Sequence, residues 1–133
     1  MFLKILQFQH LAIVLSLVYG VSQRKKRSKH IFIMKSAILW DCVFAIETLA
    51  YQNYFSGLTK TLVNAPFVYF HQSLVGASVL LYPLMIFTGY RILKGNNQTR
   101  KMHQLIGWTT LLVRAAALVT SGLFNFFGQL AFH

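Results

Sequence analysis

The apolar residues of this chain fall into four blocks, at about residues 2–21, 31–51, 67–92 and 102–127, separated by short polar turns. A helix rises about 1.5 Å per residue, so a block of about 20 apolar residues is long enough to cross the hydrocarbon core of a bilayer. Four such blocks joined by short connections predict antiparallel neighbours and an all-α, integral membrane four-helix up-down bundle. The whole of residues 1–133 is then a single transmembrane domain. Composition agrees: 56% of residues are hydrophobic, 11% are charged and the mean hydropathy is +0.53. A soluble domain carries about 25% charge.

The formal net charge of +11 raises the question of nucleic acid, and the placement of the charges answers it. Arg24, Lys25, Lys26, Arg27, Lys29 and Lys35 cluster at the first turn, and Arg91, Lys94, Arg100 and Lys101 at the third. A nucleic-acid surface would gather its cations on one soluble face with aromatics between them. Cations at alternate turns instead follow the positive-inside rule, which predicts cytoplasmic basic loops and both termini outside, as in a bacterial inner (plasma) membrane. The expected partners are the lipid bilayer, including anionic headgroups at the basic rim, and no nucleic acid. The first block is read as a retained helix, because its basic residues follow the apolar run instead of preceding it as in a signal peptide. Cys42, inside the second block, is read as a packing residue.

Ionisable groups inside apolar blocks are costly, and are usually paired or functional. Asp41 lies eleven residues after His30, and Arg114 eleven after His103. Eleven residues are close to three helical turns, so each histidine shares a face with its charged partner. Neighbouring second and fourth helices would bring Asp41 level with Arg114 near the midplane, and His30 level with His103 at the inner boundary. The first pair is expected to be a structural ion pair that fixes helix register. Alternatives are Arg114 holding an anionic group such as a haem propionate, or Asp41 relaying protons.

The same depth arithmetic groups His10, Glu47 and His71 in the outer third. Two imidazoles and a carboxylate suit a non-haem metal, while Glu47 could instead orient one of the histidines from behind. Alternatively, His10 with His71 and His30 with His103 are two candidate bis-histidine sites for b-type haem, held between facing helices of a bundle. The bland alternative is polar clusters that tie helices together with no cofactor. No catalytic residues emerge: there is no Gly-rich phosphate loop and no CxxCH run, and the two carboxylates lie on different faces of one helix. An electron-transfer or accessory subunit is thus expected in preference to a stand-alone enzyme.

Secondary features complete the expectation. The segment 52–66, with Gly57 and Asn64-Ala65-Pro66, reads as an outer loop, and Pro83 as a kink in the third helix. Gly76, Ala77 and Ser78, and the run Ala115–Ala117, are candidate close helix contacts. Trp40 and Trp108 are read as packing groups, with the alternative of flanking a planar ligand.

Three motifs carry a family resemblance: Lys29-His30-Ile31-Phe32-Ile33-Met34, Tyr69-Phe70-His71, and Arg100-Lys101-Met102-His103-Gln104-Leu105-Ile106-Gly107-Trp108. Their order, over roughly residues 29–128, resembles a bacterial family of small four-helix membrane proteins linked to maturation of haem-copper (cytochrome c) oxidases. The last motif also resembles helix starts of dihaem b-type membrane cytochromes. The first resemblance implies a cofactor-free assembly or scaffold factor among the subunits of a membrane respiratory complex. The second implies b-type haem and electron transfer. By position the first resemblance points to His30, His71 and His103; no matching motif covers His10, Asp41, Glu47 or Arg114.

Overall fold

The computed structural model describes residues 2–59 and 65–130, which form four long helices: α1 (Phe2–Ser22), α2 (Arg27–Thr59), α3 (Ala65–Leu93) and α4 (Arg100–Leu130). A 3-10 turn, Gln23–Lys25, joins α1 to α2, and the two helices pack along each other. α3 turns back onto α4 through Lys94–Thr99. Gly95 there adopts φ +93°, and the amides of Gly95 and Asn96 donate to the Ile92 and Arg91 carbonyls. Those two bonds satisfy carbonyls that the helix end would otherwise leave open, and the positive φ is one that glycine takes without strain.

α3 packs most extensively on α4, α1 on α2, and α1 also lies against α4, while α2 touches α3 only lightly. Among the described residues, α1 and α3 make no close backbone approach, and neither do α2 and α4. Those two pairs therefore face each other diagonally across the bundle. The expected adjacency of the second and fourth helices is corrected accordingly.

Helix ends also differ from expectation. α2 continues through Gly57 to Thr59 and α3 begins at Ala65, so most of the segment read as an outer loop is helical. Pro66 falls in the first turn of α3, where its missing N–H breaks no helical bond. The remaining connection, residues 60–64, lies outside the described residues.

Three stretches, Lys4–Lys25, Val68–Leu93 and Asn97–Leu123, are long and apolar enough to cross a membrane. α2 is long enough, at 33 residues, but is not among them. Lys29, Lys35, Asp41 and Glu47 make it more polar than the other three.

The bundle is apolar outside and mixed inside. Leu80, Phe32 and Phe8 are each more than 70% exposed, whereas the buried residues include His10, Asp41, Ser78, Thr88, Thr110, Arg114 and Thr120. In water this distribution would be unstable; in lipid, where apolar helix faces have nothing to gain from one another, close packing and interhelical hydrogen bonds hold helices together. Apolar packing is still present: Ile13 and Leu17 of α1 meet Ala37 and Phe44 of α2, and Ile38 of α2 meets Tyr82 and Met85 of α3. At Gly20, a Cβ would stand 2.6 Å from the Met34 sulfur and 3.2 Å from Ile33 Cγ2, so the glycine makes room for these two α2 side chains against α1. Gly76, by contrast, has nothing within 4 Å and marks no helix contact. Trp40 and Trp108 are 42% and 53% exposed, so they face outward instead of flanking anything in the core. Cys42 packs beside the Ile38–Tyr82–Met85 cluster.

Candidate cofactor sites in the bundle core

The polar core is organised in three layers. At the end that carries the basic turns, His30 of α2 donates from Nδ1 to the Gly20 carbonyl of α1, at 2.6 Å. Across the bundle, His103 Nδ1 of α4 lies 2.9 Å from the Thr88 hydroxyl of α3. That hydroxyl already donates its single hydrogen to the Leu84 and Met85 carbonyls. It can only accept from the imidazole, so Nδ1 of His103 carries the proton. A Cβ at Gly89 would touch His103 Cε1 at 3.4 Å, so the glycine leaves room for the imidazole beside α3.

At the opposite end the arrangement recurs. His71 Nδ1 of α3 lies 2.8 Å from the Thr120 hydroxyl of α4, which donates to the Ala116 and Ala117 carbonyls. His71 is therefore also protonated on Nδ1. His10 of α1, 2% exposed, packs its ring on Phe44 of α2 with centroids 5.4 Å apart. Its Nε2 is buried and has no hydrogen-bond partner. Near it, Ser121 of α4 donates to the Gln7 side-chain oxygen of α1 at 2.7 Å, tying α1 to α4.

Between these ends lies the ion pair. Arg114 of α4 donates from Nη2 to Asp41 of α2, and the Tyr82 hydroxyl of α3 donates to the other Asp41 oxygen. Both charged side chains are essentially inaccessible. The pair expected from the sequence is thus present, made by reaching across the diagonal of the bundle. Arg114 Nε and Nη1 and Gln9 Oε1 are also buried without partners. His10 is close enough to both Arg114 and His71 to interact electrostatically, as His103 is to His30.

Each histidine pair predicted from depth therefore occupies two diagonally opposed helices: His10 and His71 on α1 and α3, His30 and His103 on α2 and α4. Three of the four donate Nδ1–H to a backbone carbonyl or a threonine hydroxyl. That leaves the lone pair on Nε2, as in metal-ligating histidines whose second nitrogen is fixed from behind. Glu47 does not join either group. It is exposed on α2, six residues from Asp41 and so turned about 120° away from it on the helix. Among the described residues no three metal-capable side chains converge, so the His10–Glu47–His71 triad is not assembled.

Sequence reasoning missed Thr88, Thr120, Gly20 and Tyr82, although a signal for the first three is present. Thr88 and His103 lie seven and eight residues either side of Gly95, His71 and Thr120 twenty-four and twenty-five, and Gly20 and His30 five either side of Lys25. Equal distances from a tight turn place residues of an antiparallel pair at equal depth. Tyr82 shows no such symmetry with Asp41 or Arg114; its reach comes from a long side chain. No protein-family model, curated protein or solved structure matches this chain, so the roles of these residues follow from their geometry.

Proposed function

We propose that the protein is a membrane electron-transfer subunit that binds b-type haem, one between His10 and His71 and a second between His30 and His103. The bundle would run up and down through a bacterial inner membrane, with the basic turns in the cytoplasm and both termini outside, as one subunit of a respiratory complex. The observation that carries this is the buried, unpartnered Nε2 of His10. A buried imidazole nitrogen without a partner is destabilising unless something else completes it, and a metal centre does so.

The other residues support the same reading. Two imidazoles per layer on opposed helices are the donor set of bis-histidine haem, and a four-helix bundle holds such groups in its core. Haem, when bound, supplies one-electron redox chemistry. The chain's own residues orient and charge-balance: Gly20, Thr88 and Thr120 hold His30, His103 and His71 in the tautomer that presents Nε2. Asp41, Tyr82 and Arg114 set the relative height of α2, α3 and α4. The spare Arg114 N–H groups suit a carboxylate or other acceptor. Ten residues on α1 (His10 to Gly20) and seventeen on α3 (His71 to Thr88) separate the two layers, about 15–25 Å along the axes, so one pair lies towards each membrane face.

A cofactor-free assembly or scaffold subunit is the second reading. The observation in its favour is that His30–Gly20, His71–Thr120 and His103–Thr88 each staple two adjacent helices. A reduced-minus-oxidised visible spectrum of the purified protein separates the two. The haem reading requires an α-band and up to two haems per chain. A colourless, folded protein, even after haem supplementation, leaves the histidines as staples and supports the scaffold.

A further inference from the structure

We propose that a groove between α2 and α3, at the basic end of the bundle, is a binding site for one anionic phospholipid. The groove has a volume of about 580 Å³ and is lined by Arg27, Ser28, Ile31, Phe32, Lys35 and Leu93. It exists because α2 and α3 touch only lightly, whereas every other neighbouring helix pair is closely packed. None of its residues belongs to the histidine layers or to the ion pair.

Its chemistry is ordered along the helix. Arg27, Ile31 and Lys35 follow at i, i+4 and i+8, and Ser28 and Phe32 at i and i+4, so two stripes of one face alternate cation or hydroxyl with apolar surface. The outermost residues, Arg27 and Ser28, offer a guanidinium fork and a hydroxyl, which suit a phosphodiester. Ile31, Phe32 and Leu93 form an apolar floor, and Phe32 is 74% exposed. An acyl chain lying there covers surface that neither α2 nor α3 covers.

The depth of the site separates a lipid from a soluble anion. On the same end of α3, the Lys94 ammonium lies 4.7 Å from the Tyr90 ring centre and the Arg91 guanidinium 5.9 Å from that of Phe87. Cations resting on aromatic rings are characteristic of the headgroup level, where one end of a side chain is wet and the other apolar. Lys35 lies eight residues beyond Arg27 on α2, about 12 Å further into the bundle. Its ammonium must snorkel back towards that level, and an anionic headgroup between Arg27 and Lys35 meets it there. A zwitterionic headgroup would bring its own cation up to two fixed ones.

The test uses full-length protein in nonionic detergent, titrated with phosphatidylglycerol or phosphatidylcholine, with retained lipid counted by native mass spectrometry. One phosphatidylglycerol per chain should be retained with at least a tenfold preference over phosphatidylcholine. That preference should vanish in R27Q/K35Q and survive in R24Q/K25Q, which removes the same charge from the adjoining turn. Phe32→Ser, which leaves every charge in place, should weaken retention several-fold, and glycerol phosphate should fail to displace the lipid. Equal losses in the two double variants would reduce the effect to a diffuse basic rim and overturn the site. Equal retention of phosphatidylcholine, displacement by glycerol phosphate, or an unaltered Phe32→Ser variant would each overturn it as well.

Discussion

Arg114 of α4 reaches Asp41 of α2 across the diagonal of the bundle, with both side chains sealed from solvent. Among the described residues the backbones of these two helices make no close approach, so the pair bridges the interior of the bundle. Tyr82 of α3 adds a third helix to the same carboxylate. Three of the four helices are thus held in register by one acid.

Breaking that pair should be worse than deleting it. Arg114→Met leaves Asp41 charged or forced to protonate in the core, and Asp41→Leu leaves an unpaired guanidinium; either should destabilise by about 3–5 kcal/mol. The double variant should recover most of that loss, because no uncompensated charge remains. Unfolding in detergent by chemical denaturant reads this directly. Additive losses would mean that the two side chains do not depend on each other.

Tyr82→Phe removes the donor to a buried carboxylate, together with the contact of the same hydroxyl with Ser78. A hydrogen bond to a charged group contributes about 1.5–3 kcal/mol, so a loss in that range is expected in the same assay. In the D41L/R114M background the same substitution should cost clearly less, because only the Ser78 contact is left to lose. A full loss in both backgrounds would place the role of the tyrosine elsewhere than at Asp41.

Thr88→Val and Thr120→Val keep side-chain shape but remove the acceptors for His103 and His71 Nδ1–H. Loss of a partner behind a metal-ligating histidine typically weakens affinity by about 10–100-fold. Haem titration should show this, with the Thr88 variant affecting one site and the Thr120 variant the other. Unaltered haem affinity in a protein whose melting point has fallen would show that these threonines only join helices.

The pairing of the histidines has its own signature. His10→Ala and His71→Ala should each abolish the same haem, and combining them should remove nothing further, as expected for residues acting as a unit. His10→Ala combined with His30→Ala should abolish both. Haem per chain after extraction gives the count; loss of both haems in every single variant would contradict two separate sites.

Close approach at Gly20 is testable through packing. Gly20→Val places a branched side chain where Met34 and Ile33 already stand, and overpacking of this kind costs about 1–3 kcal/mol. Met34→Ala in the same background should restore part of the stability. If the second substitution deepens the loss, the crowding is not at Met34.

Depth and face within a single helix follow from 1.5 Å and 100° per residue, and this much was legible in the chain itself. It sufficed to find four helices, to bring Asp41 level with Arg114, and to sort four histidines into two ends. It also placed Asp41 and Glu47 on different faces of α2. Neighbour order and the rotation of each helix about its own axis were decided only by tertiary packing, because they depend on which surfaces interlock. Packing made α2 and α4 diagonal, turned Glu47, Trp40 and Trp108 outward, and brought Thr88, Thr120 and Tyr82 onto groups far away in the chain. A periodic pattern encodes where a residue lies along its helix and which way it points from that axis; the partner that meets it is set by how neighbouring helices fill space.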